Sequence, residues 1–144
     1  MATTFRSDVA DRLVTVLTAY QTAHPTLLKR VYRARPAGSP DVPYAFIGDR
    51  SESITHTQGT RTRIVDGLSF VVVDKISDNA ETAQRMDTLV DGLVEHLTSY
   101  PQLGATDSIW SRLRVTDEDY PFGDYDLTSV RFAFPDISIM EGRT

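Results

Sequence analysis

The spacing of apolar residues changes along this chain, and the order of the changes limits the folds that it can adopt. Residues 7 to 24 and 78 to 100 carry apolar side chains at helical spacing, whereas the other segments contain short apolar runs typical of strands. The order is therefore helix, two or three strands, helix, two strands. This order lacks the sustained strand–helix–strand alternation of a doubly wound parallel sheet. We predict an α+β fold: a mostly antiparallel sheet of about four to five strands with two amphipathic helices packed on one face.

Both predicted helices have sequence signals at their ends. The first begins at Ser7, a plausible N-cap, and ends before Pro25. The second begins with a capping-box pattern, Asp78 with Glu81, and stops at Pro101. Its apolar stripe is broadened by Leu89 and Val94 and consists of residues three or four positions apart: Ala83, Met86, Val90, Leu93 and Leu97. A stripe of this width predicts a helix that packs on a sheet.

The predicted strands differ in how much of their surface is apolar. Tyr44 to Gly48 is a short strand, and Arg61 to Val73 is a longer one whose last four residues are apolar on both faces, as in a central strand. Trp110 to Thr116 and Leu127 to Ile137 alternate between apolar and polar residues, which indicates half-buried strands. Val31 to Ala34 is a candidate edge strand.

A polar segment separates the two central strands. Residues 50 to 60 are mainly Ser, Thr, Arg, His, Gln and Gly, and we predict a polar loop there. The loop is interpreted either as a catalytic or ligand-binding element or as a surface that contacts a neighbouring protein. Farther along, residues 116 to 126 contain five carboxylates, and we predict an acidic turn.

Length and charge exclude several classes of protein. The 144 residues suit one domain, 1–144, with flexible ends at 1–5 and 140–144. No apolar run approaches the roughly 20 residues that cross a bilayer, so we expect no membrane contact. The absence of cysteine excludes disulfides and thiolate metal sites. A net charge of −5 argues against duplex DNA as the main ligand.

The three histidines do not form a recognisable catalytic or metal motif. His24 and His96 lie near the predicted helix ends, where a histidine complements the helix dipole. His56 lies in the polar segment near Asp49 and two serines, but the chain has no G-x-S-x-G elbow and no metal-ligand spacing. We therefore predict no enzyme, no catalytic, cofactor-binding or metal-binding residue, and no cofactor. A small binding or hydrolase domain that uses His56 is the alternative.

Charged residues suggest where the chain contacts other proteins. Arg50, Arg61 and Arg63 bracket the polar segment, either in solvent or paired with acidic residues of a neighbouring subunit. The candidate contact residues belong to the polar segment and the acidic turn: Arg50, His56, Arg61, Arg63, Asp117, Glu118 and Asp119.

A series of short segments occurs in a recognisable order. They are Val31-Tyr32, Pro43-Tyr44, Ile47-Gly48-Asp49, Phe70 to Val73, Glu81 to Ala83, and Leu93 to Leu97. In this order, residues 5 to 139 resemble the tail terminator (tail completion) proteins of long-tailed, non-contractile phages and related gene-transfer particles. The chain departs from the family at the end of the long strand, where Val73-Asp74 replaces the frequent aromatic–polar ending.

The resemblance implies a structural virion protein made in the cytoplasm of a bacterial host. Such proteins form a ring, hexameric in the family, that caps the head-proximal end of the tail tube, ends tail polymerisation and forms the head-to-tail joining surface. The implied partners are copies of the chain, the tail tube protein and the head connector or completion protein, while DNA passes through the lumen without specific binding. A head-completion or neck protein of the same virion is the alternative that the resemblance leaves open.

Overall fold

Two helices and seven strands make up the described part of the chain. The structure is a computed structural model that describes residues 4–38, 41–75, 80–103, 108–119, 127–135 and 137–141. In chain order the elements are α1 (Phe5–Ala23), β1 (Arg30–Tyr32), β2 (Tyr44–Thr57), β3 (Thr60–Lys75), α2 (Ala80–Thr98), β4 (Ser108–Ile109), β5 (Arg114–Asp119), β6 (Leu127–Phe134) and β7 (Ser138–Met140). The predicted α+β class is confirmed.

The strands form one sheet in the order β1-β2-β3-β6-β5. Only β1 and β2 run parallel, and the other pairs are antiparallel. The short strand β7 continues along β3 beyond the end of β6 and also pairs with β4. The central strand β3 therefore contacts three other strands.

Both helices pack on one face of the sheet. Leu13 and Leu17 of α1 and Leu93 of α2 are fully buried in one cluster with the sheet residues Phe70 and Phe132. The rings of Phe70 and Phe132 stack with their centroids 4.6 Å apart. An aromatic pair of this kind contributes about 1 kcal/mol beyond the area that it buries. The apolar residues at helical spacing in the sequence therefore form the interface between the helices and the sheet.

The opposite face of the sheet carries a smaller apolar cluster. Tyr44, Phe46, Val71 and Val73 are buried there. Because successive strand residues project to opposite faces, Phe70 and Val72 face the helices while their neighbours face this second cluster. The predicted central strand that is apolar on both faces is confirmed.

A buried ion pair connects the end of β3 to α2. The Asp74 side chain is fully buried, and its carboxylate accepts hydrogen bonds from Arg85 at 2.6 and 3.0 Å and from the Lys75 backbone N–H at 2.8 Å. A bidentate pair of this kind has a narrow geometry, so it fixes the position of α2 relative to the strand. No helix in the described part of the chain is long and apolar enough to span a membrane.

The helix boundaries differ from prediction at the N-terminus. Thr4, not Ser7, is the N-cap of α1, because its hydroxyl accepts a hydrogen bond from the Ser7 N–H at 3.1 Å. Within the end predicted to be flexible at 1–5, Thr4 is this N-cap and Phe5 begins α1. Within the end predicted to be flexible at 140–144, Met140 pairs in β7 and Glu141 forms ion pairs. The capping residue Asp78 lies outside the described residues.

Two predicted strand boundaries are also wrong. The strand predicted from Trp110 begins only at Arg114, because Trp110 turns into the core, where its indole N–H donates to the Tyr100 carbonyl at 2.9 Å. The strand predicted from Leu127 to Ile137 ends at Phe134, directly before Pro135, and the separate strand β7 begins at Ser138. Proline cannot donate a ladder hydrogen bond, which explains the interruption.

Gly92 provides a test of how closely the two helices approach. A Cβ at this position would lie 2.3 Å from Tyr20 Oη and 3.1 Å from Cζ. Gly92→Ala would raise helix propensity by about 1 kcal/mol, but we expect overpacking to lower the free energy of unfolding by about 1–3 kcal/mol instead. Urea unfolding of the variant measures the difference. Tyr20→Phe in the same background should recover part of the loss, and a more stable single variant would contradict the close approach.

Candidate assembly surface

The polar segment between the central strands is a β-hairpin, and the predicted loop at residues 50–60 is wrong. β2 continues to Thr57, β3 begins at Thr60, and Gln58-Gly59 form a two-residue turn with φ values of 50° and 80°. Turns with two positive φ values match the twist of paired strands. The β-branched threonines on both sides of Gln58-Gly59 are the sequence feature that could have indicated two paired strands. The apolar alternation of a strand is absent because this part of the hairpin has no core beneath it.

The end of the hairpin projects beyond the sheet. In the described part of the sheet, the last neighbour of β3 is β7, which pairs with Ile64 and Val65. Beyond that point, the strand partners of residues 54–57 among the described residues are residues 60–63. At about 3.3 Å per residue, the projecting ribbon is roughly 13 Å long. Ile54 is 62% exposed, although it is a large apolar residue. The ribbon therefore presents its side chains away from the core of its own chain.

Ion pairs within the chain hold the base of the ribbon. Arg63 donates to both Glu52 oxygens at 3.1 Å and lies 3.3 Å from Glu141, which also pairs with Arg61 at 2.7 Å. The Arg63 guanidinium lies 5.2 Å from the centre of the Phe5 ring. The Arg63 side chain is 21% exposed and Arg61 is 59% exposed. Arg63 thus holds the ribbon in place, whereas Arg61 remains accessible.

The hydrolase alternative requires His56 and a serine to converge, and the hairpin separates them. His56 is exposed and opposite Arg61 in the register, whereas Ser53 is opposite Ile64. Residues 53 and 56 project to opposite faces of the ribbon. Ser53 donates a hydrogen bond to Asp66, and no group of His, Asp or Glu able to hold a metal occurs among the described residues. The described residues therefore form no nucleophile–base arrangement around His56.

The acidic residues Asp117, Glu118 and Asp119 lie on a strand, so the predicted turn is wrong at these three positions. They form the last half of β5, which pairs with β6 in register from Arg114 to Asp119. Asp has a low strand propensity, but pairing with β6 holds these residues in a strand. Charged side chains are tolerated there because β5 is an edge strand exposed to solvent. Asp117 is exposed, and Asp119 is opposite Thr128 in the register.

Glu118 has an ion-pair partner within the chain. Arg131 donates to Glu118 at 3.0 Å and to Ser69 Oγ at 3.4 Å, and it lies 3.7 Å from Asp49. These groups form a polar patch on the face of the sheet opposite the helices. Asp117, which is exposed and whose side chain projects to the other face, is accessible for contact with another protein.

Arg50 lies at the opposite side of the sheet, near the start of α1. It donates to the Arg6 carbonyl at 2.8 Å. Because β1 pairs with β2 only from Tyr44 to Phe46, Arg50 occupies a part of β2 that β1 does not cover. Burial lowers the pKa of Arg50, and the nearby positive charges of Arg6 and Arg33 lower it further, against an opposing effect of Glu52.

Comparisons with known proteins show a structural relative. No protein-family model matches the chain, and no curated protein matches it significantly. Among solved structures, the fold is similar to that of a chain in the "Virion of native gene transfer agent (GTA) particle", with a TM-score of 0.55 and 15% sequence identity. The match covers 96% of this chain and 100% of that chain. The two proteins therefore share the fold from end to end.

The hairpin contains a carboxylate whose titration is measurable. Hydrogen bonds from the hydroxyl of Ser53 and, to a smaller extent, of Ser51 lower the pKa of Asp66. A lowered folded-state pKa stabilises the protein above the unfolded value of about 3.9, and this contribution is lost as the pH falls through the folded value. We expect Ser53→Ala to raise the Asp66 pKa more than Ser51→Ala does, as measured by NMR titration of the carboxyl group. Equal or absent effects would contradict the described hydrogen bonds.

Proposed function

We propose that the chain is a structural virion protein that acts as the tail terminator of a long-tailed phage or gene-transfer particle. In this role it forms a ring, hexameric as in the resembling family, on the head-proximal end of the tail tube. The ring ends tail polymerisation and forms the surface that joins the head. The observation that carries the proposal is the end-to-end likeness to a chain of a gene-transfer-agent virion. The order of short sequence segments that resembles tail terminators supports it independently.

The projecting ribbon supports an assembly role. A two-stranded ribbon is held by backbone hydrogen bonds, and here its base is fixed by the ion pairs of Arg63. Its outer side chains are therefore positioned without a core beneath them, as a contact element requires. Ile54 supplies exposed apolar surface, and His56 and Arg61 supply polar groups beside it. We propose that this ribbon contacts the tail tube or the adjacent subunit.

The proposed role involves no catalysis and places the protein in the virion. The chain would be made in the host cytoplasm and incorporated at the head-proximal end of the tail, with DNA passing through the ring. A net charge of −5 disfavours tight binding to that DNA. A head-completion or neck protein is the second candidate, because the likeness to a virion chain does not depend on which side of the joint the protein occupies.

Partner capture distinguishes the two candidates. The immobilised full chain is incubated separately with the tail tube protein and with the head connector protein of the same particle. Capture of the tube protein, with rings that have a central hole seen by negative-stain microscopy on tube ends, is the expected result. Capture of the connector alone would favour the neck protein, and capture of neither would contradict both candidates.

Arg61→Glu tests the contribution of the ribbon. The Arg61–Glu141 pair is exposed, and such pairs contribute only about 0–1 kcal/mol, so the melting temperature should change little. We expect the affinity for the tail tube protein to fall about tenfold or more, because a charge is reversed within the contact. Binding titrations and thermal unfolding measure the two effects. Lys75→Glu, which reverses an exposed charge at the other end of β3, is the matched control. An Arg61→Glu variant with unchanged affinity for the tail tube protein would exclude Arg61 from the contact with that protein.

A further inference from the structure

A basic cavity lies beside the N-terminus of α1. It has a volume of about 380 Å³ and is lined by Thr4, Arg6, Ser7, Ala10, Arg33 and Arg50. Arg33 reaches Asp11 at 3.2 Å and the Ser7 carbonyl and hydroxyl at 3.2 and 3.1 Å. No carboxylate is among the lining residues. The cavity is therefore positively charged on a chain whose net charge is −5.

The arginines of this cavity oppose the local electrostatics of the fold. The N-terminus of a helix carries a partial positive charge, which favours acidic side chains in the first turn. Arg6 lies in the first turn of α1 with Asp8, whose carboxylate pairs with Arg12. Arg50 adds a further positive charge, whereas Arg33 is paired with Asp11. Among the described residues, Arg6 has no ion-pair partner that would offset this cost. A cationic side chain beside a helix N-terminus, with no acidic partner among the described residues, suits contact with an anionic group.

The opposite edge of the same sheet carries the acidic residues. In the strand order, β1 and β2 lie at one side and β5 at the other. Arg114 begins β5, so the acidic residues are confined to its last half. Asp117 is opposite Val130, which is buried under the helices, so Asp117 projects to the helix side of the sheet. The basic cavity is on the same side, since α1 forms one of its walls.

Both edges also have backbone groups available for pairing. From Ile47 onward, the outer edge of β2 has no strand partner among the described residues, because β1 ends its pairing at Phe46. The outer edge of β5 likewise has no partner in the described part of the sheet. Free strand edges of this kind are templates for association with another chain.

We propose that the basic cavity of one copy receives the Asp117 carboxylate from β5 of a second copy. The copies then associate head to tail, through two different and complementary patches at opposite edges of one sheet. A contact of this kind generates a ring when its rotation closes. The inference rests on the proposed function in one respect, that the chain assembles with itself, and it adds which two surfaces meet.

Charge reversal at each patch tests the contact. Arg6→Glu reverses a cavity charge and places an acidic residue in the first helical turn, which favours α1, so folding is retained. Asp117→Arg reverses the charge of the other patch. Each change alone should weaken self-association at least tenfold, because it places like charges opposite each other, and the double variant should regain most of the loss. Asp91→Arg, the same substitution on the exposed face of α2, is the control and should leave association unchanged.

Self-association of the full chain is measured by sedimentation velocity at low salt, alone and with the tail tube protein. Three results would overturn the inference: a wild-type chain that is monomeric in both conditions, single variants that associate like wild type, or a double variant that does not recover. Inorganic phosphate that binds the cavity while the single variants associate normally would identify a small-anion site instead. If the copies associate in a charge-dependent way but the chain captures neither the tube protein nor the connector protein, the proposed function alone is rejected. If capture of one of these proteins persists but self-association does not depend on the charges, only this inference is rejected.

Discussion

The pairing of β2 with β3 is the interaction on which the rest of the structure depends. Within the sheet, these strands place Phe70 and Val72 toward the helices and Val71 and Val73 toward the opposite cluster, so both apolar layers are built on one strand. At one end, β3 leads to Asp74, whose buried carboxylate positions α2 through Arg85. At the other end, the same pairing continues past the sheet and forms the ribbon. The core, the position of α2 and the projecting ribbon thus depend on a single hydrogen-bonded ladder.

The predictions from the sequence are right for elements that bury one face and wrong for segments that bury neither face. The helical periods of α1 and α2 and the four apolar residues from Phe70 to Val73 were reliable because burial imposes a period. The ribbon was mistaken for a loop because both of its faces meet solvent, which leaves no apolar alternation to detect. The acidic end of β5 was mistaken for a turn for a related reason, since its strand conformation comes from pairing with β6 and not from its own residues.

The arginines show why contact residues are harder to predict than the fold. The sequence predicts Arg50, Arg61 and Arg63 as contact residues because they bracket the polar segment, but the structure gives the three side chains different environments. Glu141 lies 78 residues from Arg63, and such a distant partner has no local signal in the sequence. Arg6 and Arg33 carry no sequence signal for a contact, because the packing of α1 against the β1 side of the sheet is what brings them to Arg50.

The lack of a core beneath the ribbon has an evolutionary consequence. Substitutions at positions 54 to 62 remove few intrachain contacts, so selection for folding constrains them weakly as long as the turn at Gln58-Gly59 forms. In the proposed contact role, the tip could therefore diverge rapidly with its partner, while the central strands remain under strict packing constraints. Exchange of the tip between related chains would then transfer partner choice from one domain to another without redesign of the domain itself.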